Sequence, residues 1–310
     1  MEKMSRIIIV APKSITRYNV KAPFRLDYSY WNFYLPLLSM GHEVKFFDTS
    51  LYGDKELEAL VEDFHPDLLF CVMTGSPIYC PSEPWKTINK ITQDGDAVTF
   101  NWFCDDSWRF EEFSKEVCNY FHFCSTPEKR CVNKYKEIGY ENILYAPWCA
   151  NSEIYSNLEC IKTNMACFVG AIRGDRVSYM NTLTDAGFGV FTPPDSSFES
   201  MVAGYSSSLM GFNFSKNSTG EGTQMKARVF EVPATGALLV SEYTEDLENC
   251  FEIGEEILTF TNEDELLDTL QTLNKDVNVV FDMAKKGHAR FMKDHDSKVR
   301  LGTLLETILP

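Results

Sequence analysis

The chain has 310 residues, more than one hydrophobic core usually organises, and its 44% hydrophobic and 14% aromatic content excludes disorder over its whole length. A formal net charge of -16 argues against a broad basic surface for nucleic acid or anionic lipid, so an anionic ligand would have to meet local cations. No apolar run is long enough to cross a membrane, and the ten cysteines form no Cys-x-x-Cys pair, so a cytoplasmic protein with reduced thiols is expected.

In chain order, the opening residues pass within a few positions into the β-branched run Ile7 to Ala11, a first strand rather than a signal peptide. Short apolar runs follow at Glu43 to Asp48, Asp67 to Val72, Ala97 to Phe103, Tyr120 to Cys124 and Asn142 to Tyr145, separated by helical patterns such as Lys55 to Phe64 and Thr126 to Gly139. Strand, helix, strand in this rhythm predicts an α/β fold with a parallel doubly wound sheet. Gly41 is placed to end the first helix, and Pro36 inside it predicts a kink or an early stop. The polar stretch from Pro147 to Glu159 is the expected linker, dividing the chain into residues 1–150 and 151–310. The alternation then restarts, with strands expected at Met165 to Gly170, Gly189 to Phe191, Leu209 to Phe214, Ala237 to Val240 and Ile257 to Phe260, and a helix over Arg176 to Ala186. Asn262 with Glu265 forms a capping-box pattern ahead of the apolar face Leu266, Leu267, Leu270 and Leu273. Val299, Leu301, Leu304, Leu305 and Ile308 predict a last amphipathic helix.

Loops leaving the carboxyl ends of strands face the ligand in such sheets, and here three of them concentrate cations. Lys13, Arg17, Lys21 and Arg25 follow the first strand, Arg173 and Arg176 follow Phe168-Val169-Gly170, and Lys226 with Arg228 follows the strand near Phe214. Each alone reads as a solvated surface residue; three basic loops at one rim predict an anion site. The loop Ser218-Thr219-Gly220-Glu221-Gly222-Thr223 can present backbone N–H groups at a helix start, where a phosphate is favoured, and Glu231 about two turns on can accept ribose hydroxyls. A polar turn followed by an exposed helix glutamate is the alternative.

Asp105 and Asp106, directly after Ala97 to Phe103, suit a general base on an acceptor hydroxyl or, alternatively, a helix N-cap. Tyr18 with Lys13 and Arg17 forms the acceptor-side candidate, while most of the aromatic residues from Phe24 to Tyr34 suit core packing. His42 and His122 read as packed or capping side chains. Cys118, Cys124 and Cys131 match no common zinc spacing.

The segment Arg228-Val-Phe-Glu-Val-Pro-Ala-Thr-Gly-Ala-Leu-Leu-Val-Ser241, with Thr244-Glu-Asp-Leu247 and Phe251-Glu-Ile-Gly-Glu-Glu256, resembles the carboxyl-terminal domain of group-1 glycosyltransferases. The branch typified by spore-maturation-protein-like enzymes is the most similar, and Phe168-Val-Gly-Ala171, Arg176 and His295-Asp-Ser-Lys-Val-Arg300 fit it too. The resemblance covers most of residues 165–310. It implies a GT-B architecture: two Rossmann-like domains facing a central cleft, acceptor held by the first and nucleoside diphosphate sugar by the second. It further implies a hexosyltransferase-type enzyme that needs no metal or cofactor and uses a glycan, lipid-linked or protein-linked hydroxyl as acceptor. Glu231 matches the second glutamate of the family's Glu-x7-Glu motif, which holds the donor ribose, and Arg176 falls near a phosphate-binding lysine. Arg228 is the basic residue usual in this branch. Thr223 stands where the first glutamate belongs, and Glu221 comes two residues too early. A non-catalytic nucleotide-sugar or carbohydrate-binding protein of the same fold and a sugar-nucleotide epimerase are the alternative functions.

Overall fold

The computed structural model describes residues 4–14, 26–76, 80, 82–155, 159–194 and 197–309. The chain forms two compact units, Met1–Pro147 with Arg300–Pro310, and Trp148–Val299. The return of Arg300–Pro310 to the first unit differs from the simple division after residue 150. Its cause lies in the last helix, Ser297–Ile308, where Leu301, Leu304, Leu305 and Ile308 are buried and Val299 is exposed.

The first unit is built on a six-stranded parallel sheet with the order β2-β1-β3-β4-β5-β6. Its strands are β1 (Arg6–Ala11), β2 (Glu43–Asp48), β3 (Leu68–Cys71), β4 (Val98–Trp102), β5 (Phe123–Thr126) and β6 (Ile143–Tyr145). Ile7 to Ala11 and Leu68 to Cys71 are wholly buried, as parallel strands covered on both faces require. The fifth strand lies later than Tyr120 to Cys124. Cys118–Tyr120 is a 3-10 turn closed by Phe121 N–H on the Cys118 carbonyl, and Phe123 pairs with Phe100. The kink expected at Pro36 is replaced by a π turn over Tyr30–Tyr34 ahead of the α-helical turn Leu35–Ser39. Leu35 N–H bonds the Tyr30 carbonyl, and helix continues past a proline that has no N–H to give. The helix ends at Met40, with Gly41 in the left-handed region as expected.

The second unit carries a five-stranded parallel sheet with the order β11-β10-β9-β7-β8. Its strands are β7 (Asn164–Cys167), β8 (Val190–Phe191), β9 (Ser208–Asn213), β10 (Leu238–Glu242) and β11 (Leu258–Phe260). Two apolar clusters include residues from β7 and β10, one containing Val229, Val232 and Phe251, the other Phe168, Phe212, Phe214 and Leu266. Asn262 caps the helix Glu263–Leu273 by accepting from Glu265 N–H, while the Glu265 carboxylate accepts from Thr261 N–H. The stretch expected as a linker is pinned to this unit. Trp148 Nε1 donates to the Met225 carbonyl, Ala150 bridges to Asp296, and Ser152–Tyr155 is a short helix.

Strand order locates a ligand rim in each unit. The chain leaves β1 for β2 on one side and then places β3 on the other; β7, β8 and β9 repeat the pattern. Loops diverge at such switch points, so crevices open at the carboxyl ends of β1/β3 and of β7/β9.

Candidate active site

At the second switch point, the loop after β7 carries Arg173 and Arg176, and the loop after β9 leads to Lys226 and Arg228. The guanidinium carbons of Arg176 and Arg228 lie 5.7 and 5.4 Å from the centre of the buried Phe168 ring, so one aromatic ring meets both cations. Arg176 donates to the Ala171 carbonyl at 2.9 Å, and Arg228 Nε to the Val169 carbonyl at 2.6 Å. Burial and the neighbouring Arg228 lower the Arg176 pKa. Lys226 is turned inward, its ammonium donating to the Phe214 and Lys216 carbonyls at 2.6 Å each. Burial, then Arg176 and Arg228, pull its pKa down to about 7. Among the described residues, Arg176, Lys226 and Arg228 make no side-chain ion pair, although the chain as a whole is strongly acidic. Arg173 is exposed beside Arg176.

Glu231 is the fourth residue of the helix Arg228–Ala234, hence in its first turn rather than two turns in. The helix is packed so tightly on β9 that a side chain at Gly211 would meet Val232 at 2.6 Å. Glu231 is therefore buried, not an exposed helix glutamate, and Tyr155 donates its hydroxyl to Oε1 at 3.0 Å. Burial raises the carboxyl pKa, partly offset by Arg228 and by the Tyr155 hydrogen bond.

The phosphate cradle expected from Gly220, Glu221 and Gly222 takes a different form. The loop closes as a turn between Lys216 and Thr223, with Asn217 N–H on the Gly222 carbonyl at 2.7 Å. Asn217 Oδ1 accepts from Thr219 and Gly220 N–H, and Glu221 N–H bonds Thr219 Oγ1. Asn217 and Thr219 thereby take up the Gly220 and Glu221 amides, two of those expected to meet phosphate. The helix starts only at Arg228, and Glu221 is exposed. Thr223 donates its hydroxyl to Thr244 Oγ1 at 3.1 Å. What holds the loop is a residue that no sequence motif marks: buried Glu242, at the end of β10, accepts from Ser215 N–H at 2.6 Å and Lys216 N–H at 3.1 Å.

In the first unit, Asp105 and Asp106 separate into different roles. Asp106 is buried, accepting from Ser114 Oγ at 2.6 Å and the Tyr135 hydroxyl at 2.8 Å, with its carboxyl pKa raised by burial. Both of its oxygens serve the interior, which corrects its assignment as a base. Asp105 is half-buried, makes no capping bond to the helix Asp106–Arg109, and lines a small cavity with Thr74, Cys104 and Arg109. Lys13 N–H donates to Asp48 Oδ1, and its ammonium lies 5.5 Å from the Tyr30 ring centre. Arg17, Tyr18, Lys21 and Arg25 lie outside the described residues. His42 and His122 use Nδ1 to accept from Ser5 and Thr99 backbone N–H, so neither is poised as a base at a strand's carboxyl end. All ten cysteines are free thiols. Among the described residues, no group of three His, Cys, Asp or Glu side chains is arranged to hold a metal, and no helix is long and apolar enough to cross a membrane.

Residues 187–306, less than half of the chain, match the family described as glycosyl transferase-like. No curated protein sequence matches significantly. Among solved structures, HepE of Anabaena, crystallised with UDP, aligns at a TM-score of 0.60 and 11% identity over 97% of this chain and 99% of its own. A sucrose-phosphate synthase from Thermosynechococcus elongatus aligns at 0.63 and 10% identity over 98% of each chain. A glycosyltransferase from Rickettsia africae aligns at 0.63 and 7% identity over 99% and 98%. Together with the two parallel-sheet α/β units, these alignments show that the chain has the GT-B fold.

Proposed function

We propose that the protein is a glycosyltransferase that moves a sugar from a nucleoside diphosphate sugar to an acceptor hydroxyl. The observation that carries this reading is the grouping of Arg176, Lys226 and Arg228 beside buried Glu231 at a topological switch point. Among the described residues these three basic side chains make no ion pair, a diphosphate would supply the charge and span to meet them, and this supports an anionic ligand. Glu231 beside them supplies the acceptor oxygens for a ribose. The family match over residues 187–306 and the UDP bound by Anabaena HepE support the same ligand class. The spore-maturation-protein-like motif around Arg228 and Glu231 supports carrying the ribose role to Glu231.

In the reaction, an acceptor oxygen forms a bond to the anomeric carbon while that carbon's bond to the diphosphate breaks. The leaving diphosphate gains charge, which Arg173, Arg176, Lys226 and Arg228 stabilise from fixed positions. The same cations do the neutralising work of a divalent ion, so the proposed enzyme is metal-independent. For a transfer with inversion, Asp105 takes the acceptor proton, and Lys13, Arg17 and Tyr18 contact the acceptor. The closed turn that carries Gly220, Glu221, Gly222 and Thr223 is assigned to the donor side of the same proposal. A hexose as the sugar and a cytoplasmic location belong to the same proposal.

A thermal-shift screen against UDP-, GDP-, ADP- and dTDP-sugars tests the reading, because a ligand that binds only the folded state raises the melting temperature. At least one is expected to do so in the native protein and not in Glu231→Ala. A flat response to all of them would overturn it. A binding-only protein of the same fold would show the shift without slow hydrolysis of the bound nucleotide sugar.

A further inference from the structure

Tyr155 lies in the short helix Ser152–Tyr155, far in sequence from the donor loops, yet its ring is buried and meets Phe198 edge-on at 5.0 Å. The segment is fixed at both ends of its turn. Ser152 N–H bonds Asp296 Oδ2, Glu153 N–H bonds Asn151 Oδ1, and Tyr155 N–H bonds the Asn151 carbonyl. From this rigid seat the phenol donates to Oε1 of Glu231, on a helix that is itself pressed onto β9 through Gly211.

We infer that Tyr155 is a positioning residue for the nucleotide: it fixes the Glu231 carboxylate, in its ionised state, toward the two hydroxyls of a ribose. This rests on the nucleotide-sugar reading above. A carboxylate oxygen has two lone pairs, so Oε1 can accept from Tyr155 and from one ribose hydroxyl while Oε2 accepts from the other. The ionised group receives all three more strongly than a protonated carboxyl, which gives up an acceptor position and the charge. Burial favours protonation of Glu231; the phenol, as a donor to the charged form, opposes it, as does Arg228. Both effects make the site prefer a ribonucleoside diphosphate to its 2′-deoxy counterpart.

The test measures, by calorimetry, the affinities of UDP, GDP and ADP and of their 2′-deoxy forms for the native chain, Tyr155→Phe, Glu231→Gln and the double variant, between pH 5.5 and 8.5. For the ribonucleotide that binds the native chain, Tyr155→Phe is expected to weaken binding about 10-fold, as for a lost hydrogen bond to a charged group. Its deoxy counterpart loses less, so the ribose preference shrinks. The loss of affinity toward acid begins at a higher pH than in the native chain. In the Glu231→Gln background, Tyr155→Phe adds nothing, and because glutamine carries no charge this pair also reads the coupling if the single variant folds poorly. Tyr155→Phe with native ribose preference and a native acid limb overturns the inference while leaving the donor site standing, as does a full effect in the Glu231→Gln background. If no nucleoside diphosphate binds the native chain, or Glu231→Gln binds all as the native chain does, it is the donor-site reading that fails.

Discussion

Arg228 reaches the Val169 carbonyl at 2.6 Å across a residue, Gly170, that has no side chain to obstruct it. A Cβ at position 170 would sit 2.8 Å from Arg228 Nη2 and 3.1 Å from the Phe168 ring, at a backbone φ of +153° that side chains rarely adopt. This one glycine therefore lets a guanidinium from the loop after β9 lie against the loop after β7, which brings the two halves of the cation group together.

Gly170→Ala is expected to push Arg228 off its carbonyl and off the Phe168 face. The guanidinium is the flexible end of its side chain, so the fold should survive with a loss of about 1 to 3 kcal/mol, as for modest overpacking. Nucleoside diphosphate affinity should fall on the order of 10-fold, in line with one displaced charged hydrogen bond. Chemical denaturation and calorimetry on the same variant separate the two effects; native affinity would show that Arg228 need not hold this position.

Asp105 and Asp106 are adjacent in sequence and should behave as opposites. Asp106→Ala strands the buried hydroxyls of Ser114 and Tyr135, so a loss of roughly 2 to 4 kcal/mol in unfolding free energy is expected. Asp105→Ala, at a half-buried position, should cost less stability than Asp106→Ala while lowering kcat about 100-fold or more if it is the base. Denaturation curves and initial rates on the two variants decide the matter, and a destabilised Asp105→Ala with unchanged kcat would remove Asp105 from the chemistry.

The legible parts of this molecule were those fixed by local pattern. Parallel strands such as β1 and β3 are buried on both faces, so an uninterrupted apolar run is a direct signature of them. The helix Val277–Asp294 was harder to see because Val277, Val279 and Phe281 are exposed and alternate with other residues, blurring the helical period. As candidates, Arg176, Arg228 and Glu231 could be picked out from the sequence because loops at strand ends and a local motif carry them. Tyr155 could not, since its only reason to matter is a partner 76 residues away. The Gly220 loop takes its form for a local reason: Asn217, three residues before, is a residue type that bonds the backbone amides just after it, and here it takes the Gly220 N–H.

Glu242 should act as the clamp of that loop. Glu242→Ala removes the acceptor for Ser215 and Lys216 N–H, freeing the strand exit on which the Lys226 ammonium depends through the Phe214 and Lys216 carbonyls. A stability loss of about 2 to 3 kcal/mol is expected from the unsatisfied N–H groups of buried Ser215 and half-buried Lys216, together with weaker nucleotide binding. Hydrogen exchange should show Ser215 and Lys216 losing protection first. Protection unchanged at these two amides, with affinity intact, would mean that the loop is held by other contacts.

Lys226 ties pH to both stability and ligand. Its folded pKa of about 7 lies below the ordinary lysine value of about 10.4, so between these pH values the unfolded chain binds a proton that the folded chain does not. Unfolding is then opposed increasingly as pH rises through this window, and Lys226 contributes a positive slope of stability against pH. A diphosphate reverses the local balance, because an anion beside Arg176, Arg228 and Lys226 favours the ammonium form. Binding at pH 8 should therefore take up a proton, whereas at pH 6, where Lys226 is already charged, uptake from this source should vanish. Calorimetry in two buffers of different ionisation enthalpy measures the uptake directly, and Lys226→Met should abolish it along with part of the affinity below pH 7. Undiminished uptake in Lys226→Met would place the titrating group elsewhere and leave Lys226 a structural brace for the two carbonyls it bonds.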